Sequence, residues 1–174
     1  RDIELDAKTA GAILSPAVAK APPAPAVSAT APRSAPPARP PAPAAAEGPS
    51  SLQSVAARVK TCALCPLHAT RTNTVPGQGC ATPEIMFIGE GPGADEDQQG
   101  LAFVGKAGQL LTKIIEAMGL TRDQVFIGNI VKCRPPGNRV PLPEEMQACI
   151  PYLKEQIALL KPKIIVALGA TAVK

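Results

Sequence analysis

The sequence predicts an α/β fold with a parallel central sheet, and three observations support that prediction. Short apolar runs that end in glycine or in a loop alternate with longer segments whose apolar residues recur at helical spacing. The order strand, helix, strand, helix, strand is typical of parallel strands joined by right-handed crossovers. All the aromatic residues, three Phe and one Tyr, follow position 50, so residues 51–174 are predicted to form the folded domain.

Composition excludes several classes of protein. No apolar run is long enough to cross a membrane, and five Cys are too few, and odd in number, for a secreted disulfide scaffold. The apolar run after residue 10 follows Asp2, Glu4 and Asp6, whereas a signal peptide needs a cationic start. We therefore expect a cytoplasmic, monomeric protein. A formal net charge of +4 does not by itself indicate nucleic-acid binding.

Residues 1–50 are predicted to be a disordered tail. More than half of them are Ala or Pro and none is aromatic, so the segment cannot bury enough apolar surface to offset its ordering entropy. The simplest interpretation is an inert linker. The alternative is a tether to a partner protein or to DNA.

The first half of the folded part is predicted as follows. Ser50 or Ser51 caps a short helix that ends near Lys60, and the apolar run at 84–89 is a buried strand. A loop follows over residues 90–105. Helical spacing then predicts a helix over 106–118 that glycine closes.

The second half repeats this pattern. A strand is predicted at 125–131 and a proline-rich loop at 133–142. Pro143 at a first helical position predicts a helix to about Leu160, and a third strand follows at 163–168. Ligands of such sheets bind at the carboxyl ends of the strands, so the loops after the first two strands are the candidate site.

The loop after the first strand reads G-E-G-P-G-A-D-E-D at residues 89–97. It matches the G-x-G-x-x-G/A dinucleotide pattern only weakly, because Asp95, Glu96 and Asp97 would repel a pyrophosphate. One interpretation is a glycine-rich turn with solvated acids. The other is that Glu90 is held at a strand end where glycines let a ligand approach, so that it orients a water or stabilises positive charge.

The cysteines are the second chemical feature. Cys62 and Cys65 form a C-x-x-C pair, and Cys133 and Cys149 follow much later in the chain. Four thiolates from separate segments suit either a tetrahedral zinc ion or an iron–sulfur cluster. The alternative is that the last two are small buried hydrophobic residues, which is also our interpretation of Cys80.

The third feature is the G-L-A-F-V-G-K-A-G segment at 100–108. Phe103 in this loop is either an anchor into the core or a stacking platform for a flat ligand. Lys106 and the free N–H groups at the start of the following helix could receive a phosphate.

These motifs, taken in order, resemble family 4 uracil-DNA glycosylase, the iron–sulfur type. The resemblance covers about residues 52–174 and depends on G-E-G-P-G, F-V-G-K-A-G, N-I-V-K-C-R-P-P-G-N-R and the four cysteines together. It implies a three-layer α/β/α fold and a DNA repair enzyme. Such an enzyme flips uracil out of DNA and hydrolyses its N-glycosidic bond, leaving an abasic site.

The resemblance also assigns roles to residues. It implies a 4Fe–4S cluster on Cys62, Cys65, Cys133 and Cys149, with zinc as the alternative metal. In the site, Glu90 would lie near the attacking water, Phe103 would stack on the base and Asn129 would recognise its edge. N–H groups around Gly91 and Gly93 would contact uracil, and Glu96 would exclude thymine by crowding its C5 position. A loop with Arg134, Asn138 and Arg139 would approach the DNA backbone.

These roles are chemically coherent. The side-chain amide of Asn129 can accept from uracil N3–H and donate to O4, whereas cytosine presents the opposite pattern. Donors around the base stabilise the negative charge that develops on departing uracil, and a carboxylate balances the cationic sugar. Simpler alternatives remain, namely that Asn129 caps a strand end and Glu96 is a solvated acid.

The chain departs from the family pattern at its end. The family's later His-Pro motif, a fourth strand and a DNA-intercalating loop do not appear, so we interpret the chain as a fragment that lacks the C-terminal strand and helices. His68 is not that histidine and is interpreted as a surface or cluster-adjacent residue. We expect this chain to be weakly active or inactive. Two other classes stay open, a non-catalytic metal-cluster interaction module and a nucleotide-binding module.

Overall fold

One four-stranded sheet organises the domain. The computed structural model describes residues 51–173, so the predicted tail at 1–50 lies outside the described residues. The strands are β1 (Gln78–Gly79), β2 (Ile85–Gly89), β3 (Phe126–Asn129) and β4 (Ile164–Ala167). Their order across the sheet is β1-β3-β2-β4. The three strands predicted from the sequence are therefore confirmed.

The parallel arrangement of these three strands is also confirmed. β2 lies between β3 and β4 and pairs with both in parallel. Its register places Gly89 opposite Asn129, so both strands end at the same level. The loops that follow β2 and β3 therefore start side by side, as expected for the carboxyl edge of a parallel sheet.

The sheet is mixed rather than wholly parallel, which corrects the prediction. β1 is a two-residue strand that pairs antiparallel with β3, with Gln78 opposite Ile127. Glycines with positive φ, at positions 77 and 79, flank and end this strand. So short a segment has no alternating pattern of its own, and only its contact with β3 defines it.

Residues 51–173 form five α-helices around the sheet. They are α1 (Leu52–Thr61), α2 (Ala94–Gln99), α3 (Lys106–Ala117), α4 (Pro143–Leu160) and α5 (Ala170–Val173). Ser51 accepts from the N–H of Ser54 at the start of α1, as the capping prediction required. α4 begins at Pro143, with two glutamates in its first turn, and ends at the predicted residue.

The helix α2 was not predicted, because residues 90–105 were interpreted as one loop. Three acids occupy its first turn, where the helix dipole favours negative charge, and Gly100 ends it with φ 72°. The sequence does carry these local signals. The density of glycine and proline around them made a loop the simpler interpretation.

Two apolar clusters lie on opposite faces of the sheet, which gives the predicted three layers. On one face, α1 and α4 bury Val55, Val59, Tyr152 and Leu153 with Met86 and Ile88 of β2. On the other face, α3 buries Leu111 and Ile115 against Phe87 and Ile127. Strand residues alternate between the two clusters because successive side chains point to opposite faces. Over residues 51–173, no helix combines the length and apolar character needed to cross a bilayer.

Glu145 ties the loop after β3 to the start of α4. Its carboxylate is 1 % exposed and receives two N–H donors of Arg139, at 2.8 and 2.6 Å, and the Leu142 N–H at 2.8 Å. The Arg139 guanidinium holds the pKa of this carboxyl below its ordinary value.

We expect Glu145→Gln to lower the free energy of unfolding by roughly 1–3 kcal/mol at pH 7. Because the folded pKa is depressed, the stabilisation is complete above the unfolded value of about 4.3 and is lost as pH falls through the folded value. Urea unfolding at several pH values should show the two proteins converging in acid. Glu84→Gln is the control, since its ion pair with Lys163 is largely exposed and should add nothing measurable. A difference that persists at the lowest pH would contradict this account.

Candidate active site and cysteine cavity

The side chains of Phe103 and Asn129 both approach Gly89, the last residue of β2. A Cβ at position 89 would lie 2.5 Å from Cζ of Phe103 and 2.7 Å from Oδ1 of Asn129. Only glycine therefore fits at position 89. The tertiary structure brings the predicted stacking residue and the predicted base-recognising residue into one site.

The backbone at Phe103 is strained. Its φ is 54°, a value that residues with a Cβ seldom adopt. Gly108 makes this conformation possible, because a Cβ there would lie 1.9 Å from the Phe103 carbonyl oxygen. The partly buried ring also packs against the apolar cluster on the α3 face. Phe103 is thus anchored as one interpretation predicted, while its ring still borders the site, and strain of this kind is common at ligand sites.

Replacing Gly89 by alanine should disturb the site directly. The overlap with two side chains is expected to cost about 1–3 kcal/mol of folding stability. The resemblance implies a uracil site here, so we also expect the affinity for free uracil to fall about tenfold or more, which equilibrium dialysis can measure. The control is Gly119→Ala, where a Cβ has nothing within 4 Å, so that any loss of stability there comes from the positive φ of 76° and not from overlap with the site. Equal uracil affinity in Gly89→Ala and wild type would contradict the proposed pocket.

Asn129 carries an unpaired acceptor. The residue is 1 % exposed, and its Oδ1 atom is buried without a hydrogen-bond partner among the described residues. Such an orphan costs about 1–3 kcal/mol, so it points to a ligand that supplies the missing donor. The strand-end-cap interpretation is not supported, because this oxygen caps nothing.

Glu90 follows directly at the end of β2. Thr171, in α5, donates its hydroxyl to the Glu90 carboxylate. The backbone oxygen of Glu90 accepts from the N–H of Val131 at 3.1 Å, which joins the two loops at the sheet edge. The carboxylate is half-buried and held in place, as a residue that orients water requires.

Glu96 acts as a clamp inside the glycine-rich segment. One carboxylate oxygen accepts from the Gly93 N–H at 3.0 Å, and the other accepts from Val104 and Gly105 at 2.9 and 2.8 Å. The interpretation of Glu96 as a solvated acid is therefore wrong. The bonds hold the Phe103 loop against the turn after β2. One of these bonds occupies the Gly93 N–H. Of the two glycines whose N–H groups were predicted to contact uracil, Gly91 is therefore the remaining candidate donor.

The four predicted metal ligands line one cavity between α1, the C-x-x-C segment and α4. Cys62 and Cys65 are partly exposed there, and Cys133 and Cys149 are buried. All four are free thiols, and Cys80 lies elsewhere, beside Thr82. His68 is exposed, lines the same cavity and contacts the Cys65 carbonyl oxygen, as its cluster-adjacent interpretation predicted.

The chemistry of this cavity fits a thiolate-bound metal. Arg71 donates to the Cys133 sulfur at 3.0 Å, and the Lys132 backbone N–H donates to the Cys149 sulfur at 3.2 Å. Burial raises the pKa of the Cys149 thiol to about 12. A bound cation would reverse that shift, since metal binding favours the thiolate. Within 51–173, however, no three His, Cys, Asp or Glu side chains already surround a common metal position.

Sequence reasoning missed two buried polar residues near these sites. Asp97 is 3 % exposed and accepts from the backbone N–H groups of Thr72 and Asn73, although the sequence suggested a solvated acid. Lys132 is 1 % exposed, and burial lowers its pKa to about 8. For Lys132, the available sign of burial in the sequence is that its neighbours along the chain are apolar.

The loop predicted to approach DNA is largely self-bonded. The Arg134 side chain donates to Asn138 at 2.7 Å, and Arg139 pairs with Glu145 as described above. Arg139 is therefore neutralised within the domain, while Arg134 bonds only a neutral amide there. A role for this loop on the DNA backbone stays a prediction, with Arg134 its better candidate.

The architecture defines an α/β protein in which Phe103 and Asn129 approach Gly89 at the carboxyl ends of two parallel strands, and which also has a cysteine-lined cavity. Residues 76–174 match the family model described as the uracil DNA glycosylase superfamily. The chain belongs to this superfamily.

Comparison with individual proteins shows which members of the superfamily the chain resembles. The chain is 53 % identical over 121 residues to the type-4 uracil-DNA glycosylase of Thermotoga maritima, covering 70 % of this chain and 63 % of the relative. It is 54 % identical over 125 residues to that of Sulfurisphaera tokodaii, covering 71 % and 57 %. A type-5 uracil-DNA glycosylase of Pyrobaculum aerophilum is 31 % identical over 146 residues, covering 66 % and 64 %. The predicted resemblance to the type-4 family is confirmed, and the chain spans about three-fifths of the length of these relatives.

Proposed function

We propose that this protein removes uracil from DNA by hydrolysing the N-glycosidic bond, which leaves an abasic site. The observation that carries the proposal is the buried Oδ1 of Asn129, which lies near the Phe103 ring and has no hydrogen-bond partner within residues 51–173. The similarity to type-4 uracil-DNA glycosylases supports it. DNA containing uracil is accordingly the proposed substrate.

Recognition of uracil follows from the chemistry of this oxygen. An acceptor without a partner requires a donor, and uracil supplies one at N3–H. Cytosine has an acceptor at N3, so its binding would leave two acceptors facing each other in a dry site. Phe103 would stack on the base, which must leave the duplex to reach the buried side chain of Asn129.

Bond cleavage would depend on charges at both sides of the glycosidic bond. Negative charge grows on the departing uracil, where the Asn129 amide and the backbone N–H near Gly91 would stabilise it. Positive charge grows on the sugar, where the Glu90 carboxylate would stabilise it and orient the attacking water. The Thr171 hydroxyl holds this carboxylate in one position.

The cysteine cavity is proposed to hold the 4Fe–4S cluster, with zinc as the alternative. Cys62, Cys65, Cys133 and Cys149 would be its ligands, and the group would cross-link the C-x-x-C segment, the loop after β3 and α4. Arg71 and the Lys132 N–H would donate to the sulfurs and temper their charge. Its role would be structural.

The direct test is release of free uracil from an oligonucleotide by the metal-loaded 174-residue chain. We expect slow release that depends on Asn129, together with tighter binding of uracil-containing DNA than of the matched thymine-containing DNA. Absence of both would contradict the proposal. Tight binding of a free nucleotide without either would favour the nucleotide-binding module. Metal retention without any base or nucleotide binding would favour the interaction module.

A further inference from the structure

A buried polar chain runs behind the base-recognising residue. The Lys132 ammonium donates to the Asn129 carbonyl oxygen at 2.8 Å and to Oε1 of Gln156 at 2.7 Å. Gln156 in turn donates to the Pro76 carbonyl oxygen at 2.7 Å. Lys132 and Gln156 are 1 % and 2 % exposed, so both side chains are closed to solvent.

Burial of these groups has no evident benefit to the core alone. A lysine loses solvation when buried, and the surrounding residues on the α4 face are apolar. Methionine would fill nearly the same volume without that loss. Buried polar groups of this kind can be retained because they specify one conformation.

The conformation specified here is that of the carboxyl end of β3. After Asn129, the chain leaves the strand as Ile130 and Val131 donate to the carbonyl oxygens of Gly89 and Glu90. Lys132 binds the Asn129 carbonyl from inside the core, and its own carbonyl oxygen accepts from the Val75 N–H at 2.8 Å. The backbone that carries the Asn129 amide is thereby held on both sides.

Lys132 also connects Asn129 with the cysteine cavity. The Lys132 backbone N–H bonds the Cys149 sulfur, while the Lys132 side chain bonds the Asn129 backbone. We propose that Lys132, held by Gln156, is a positioning residue that orients Asn129 for base recognition and couples it to the cysteine cavity. This inference deepens the proposed function and rests on it.

The test compares Lys132→Met with wild type in the metal-loaded full chain. We expect single-turnover uracil release to fall roughly 10²-fold, as for a displaced reacting group, and free-uracil affinity to fall with it. A crystal structure should show the Asn129 amide moved from its place beside residue 89. Gln156→Met should cause a smaller loss, and Gln156→Glu should restore part of it because the acceptor for Lys132 is retained.

The matched control is Leu160→Ala, which opens the same apolar cluster one helical turn beyond Gln156 and removes no member of this polar chain. It should lower the unfolding temperature and leave uracil affinity unchanged. If Lys132→Met does not fold, the comparison of Gln156→Met with Gln156→Glu tests the inference by itself. The inference is overturned if the Lys132 and Gln156 variants keep wild-type uracil affinity and Asn129 has not moved. It is also overturned if they lose no more uracil affinity than Leu160→Ala does. Absence of uracil release and binding in the wild type would instead overturn the proposed function.

Discussion

Uracil release is expected to fall about 10²–10³-fold when Asn129 is replaced by alanine, the loss typical of removing one donor that stabilises a developing anion. The variant should fold normally, because the side-chain oxygen it removes has no partner within the described part of the chain. Single-turnover release measures the effect, and metal content and the unfolding midpoint confirm that the rest of the protein is intact.

Asn73→Ala is the matched control for this substitution. The Asn73 side chain donates to the carbonyl oxygens of Asp97 and Gln98, so its loss should weaken a loop rather than the base site. We expect lower stability and unchanged uracil affinity. If both variants reduced uracil release equally, Asn129 would have no special role in recognition.

Asn129→Asp offers a gain of function instead of a loss. A protonated aspartate presents one acceptor and one O–H donor, which match the N4 amino group and the N3 acceptor of cytosine. We therefore expect the variant to release cytosine from DNA at a rate above wild type, measured on oligonucleotides with a single target base. No difference between the two proteins on cytosine would contradict the assigned orientation of the amide.

Loss of the metal is the expected result of Cys133→Ala. Removal of one of four ligands should reduce metal affinity by more than the 10–100-fold typical of outer-shell changes. Because the bound group would cross-link three segments, the unfolding temperature should fall as well. Iron and zinc per chain, with the brown colour of anaerobically purified protein, measure occupancy and distinguish the two metals.

Cys80→Ala provides the control, since Cys80 is a free thiol that lies outside the cysteine cavity. It should keep the metal content and stability of the wild type. Equal metal content in the two variants would show that the cavity does not hold the metal through Cys133.

Much of the candidate site could be predicted from short patterns. An apolar run followed by Gly89 and Glu90 marks a strand end, and Asn129 ends the next run. Since parallel strands end at one edge, these residues had to lie near each other. The register, with Gly89 opposite Asn129, agrees with that reasoning.

The hydrogen-bond partners could not be predicted in this way. Glu96 reads as a surface acid in a polar run, yet both of its oxygens bond backbone N–H groups of two loops. The burial of Lys132 depends on Gln156, which α4 brings to it from 24 positions along the chain. No local sequence pattern predicts this hydrogen bond, because it depends on how the helix packs on the sheet.

The sequence by itself determined the three parallel strands, the main helices and the residue types that carry the chemistry, because hydrophobic period and turn residues act over a few positions. The tertiary structure alone decided the antiparallel edge strand, the approach of Phe103 and Asn129 to Gly89, and which polar groups are buried. Burial and hydrogen bonding depend on which distant segments pack together, and that outcome belongs to the folded chain as a whole.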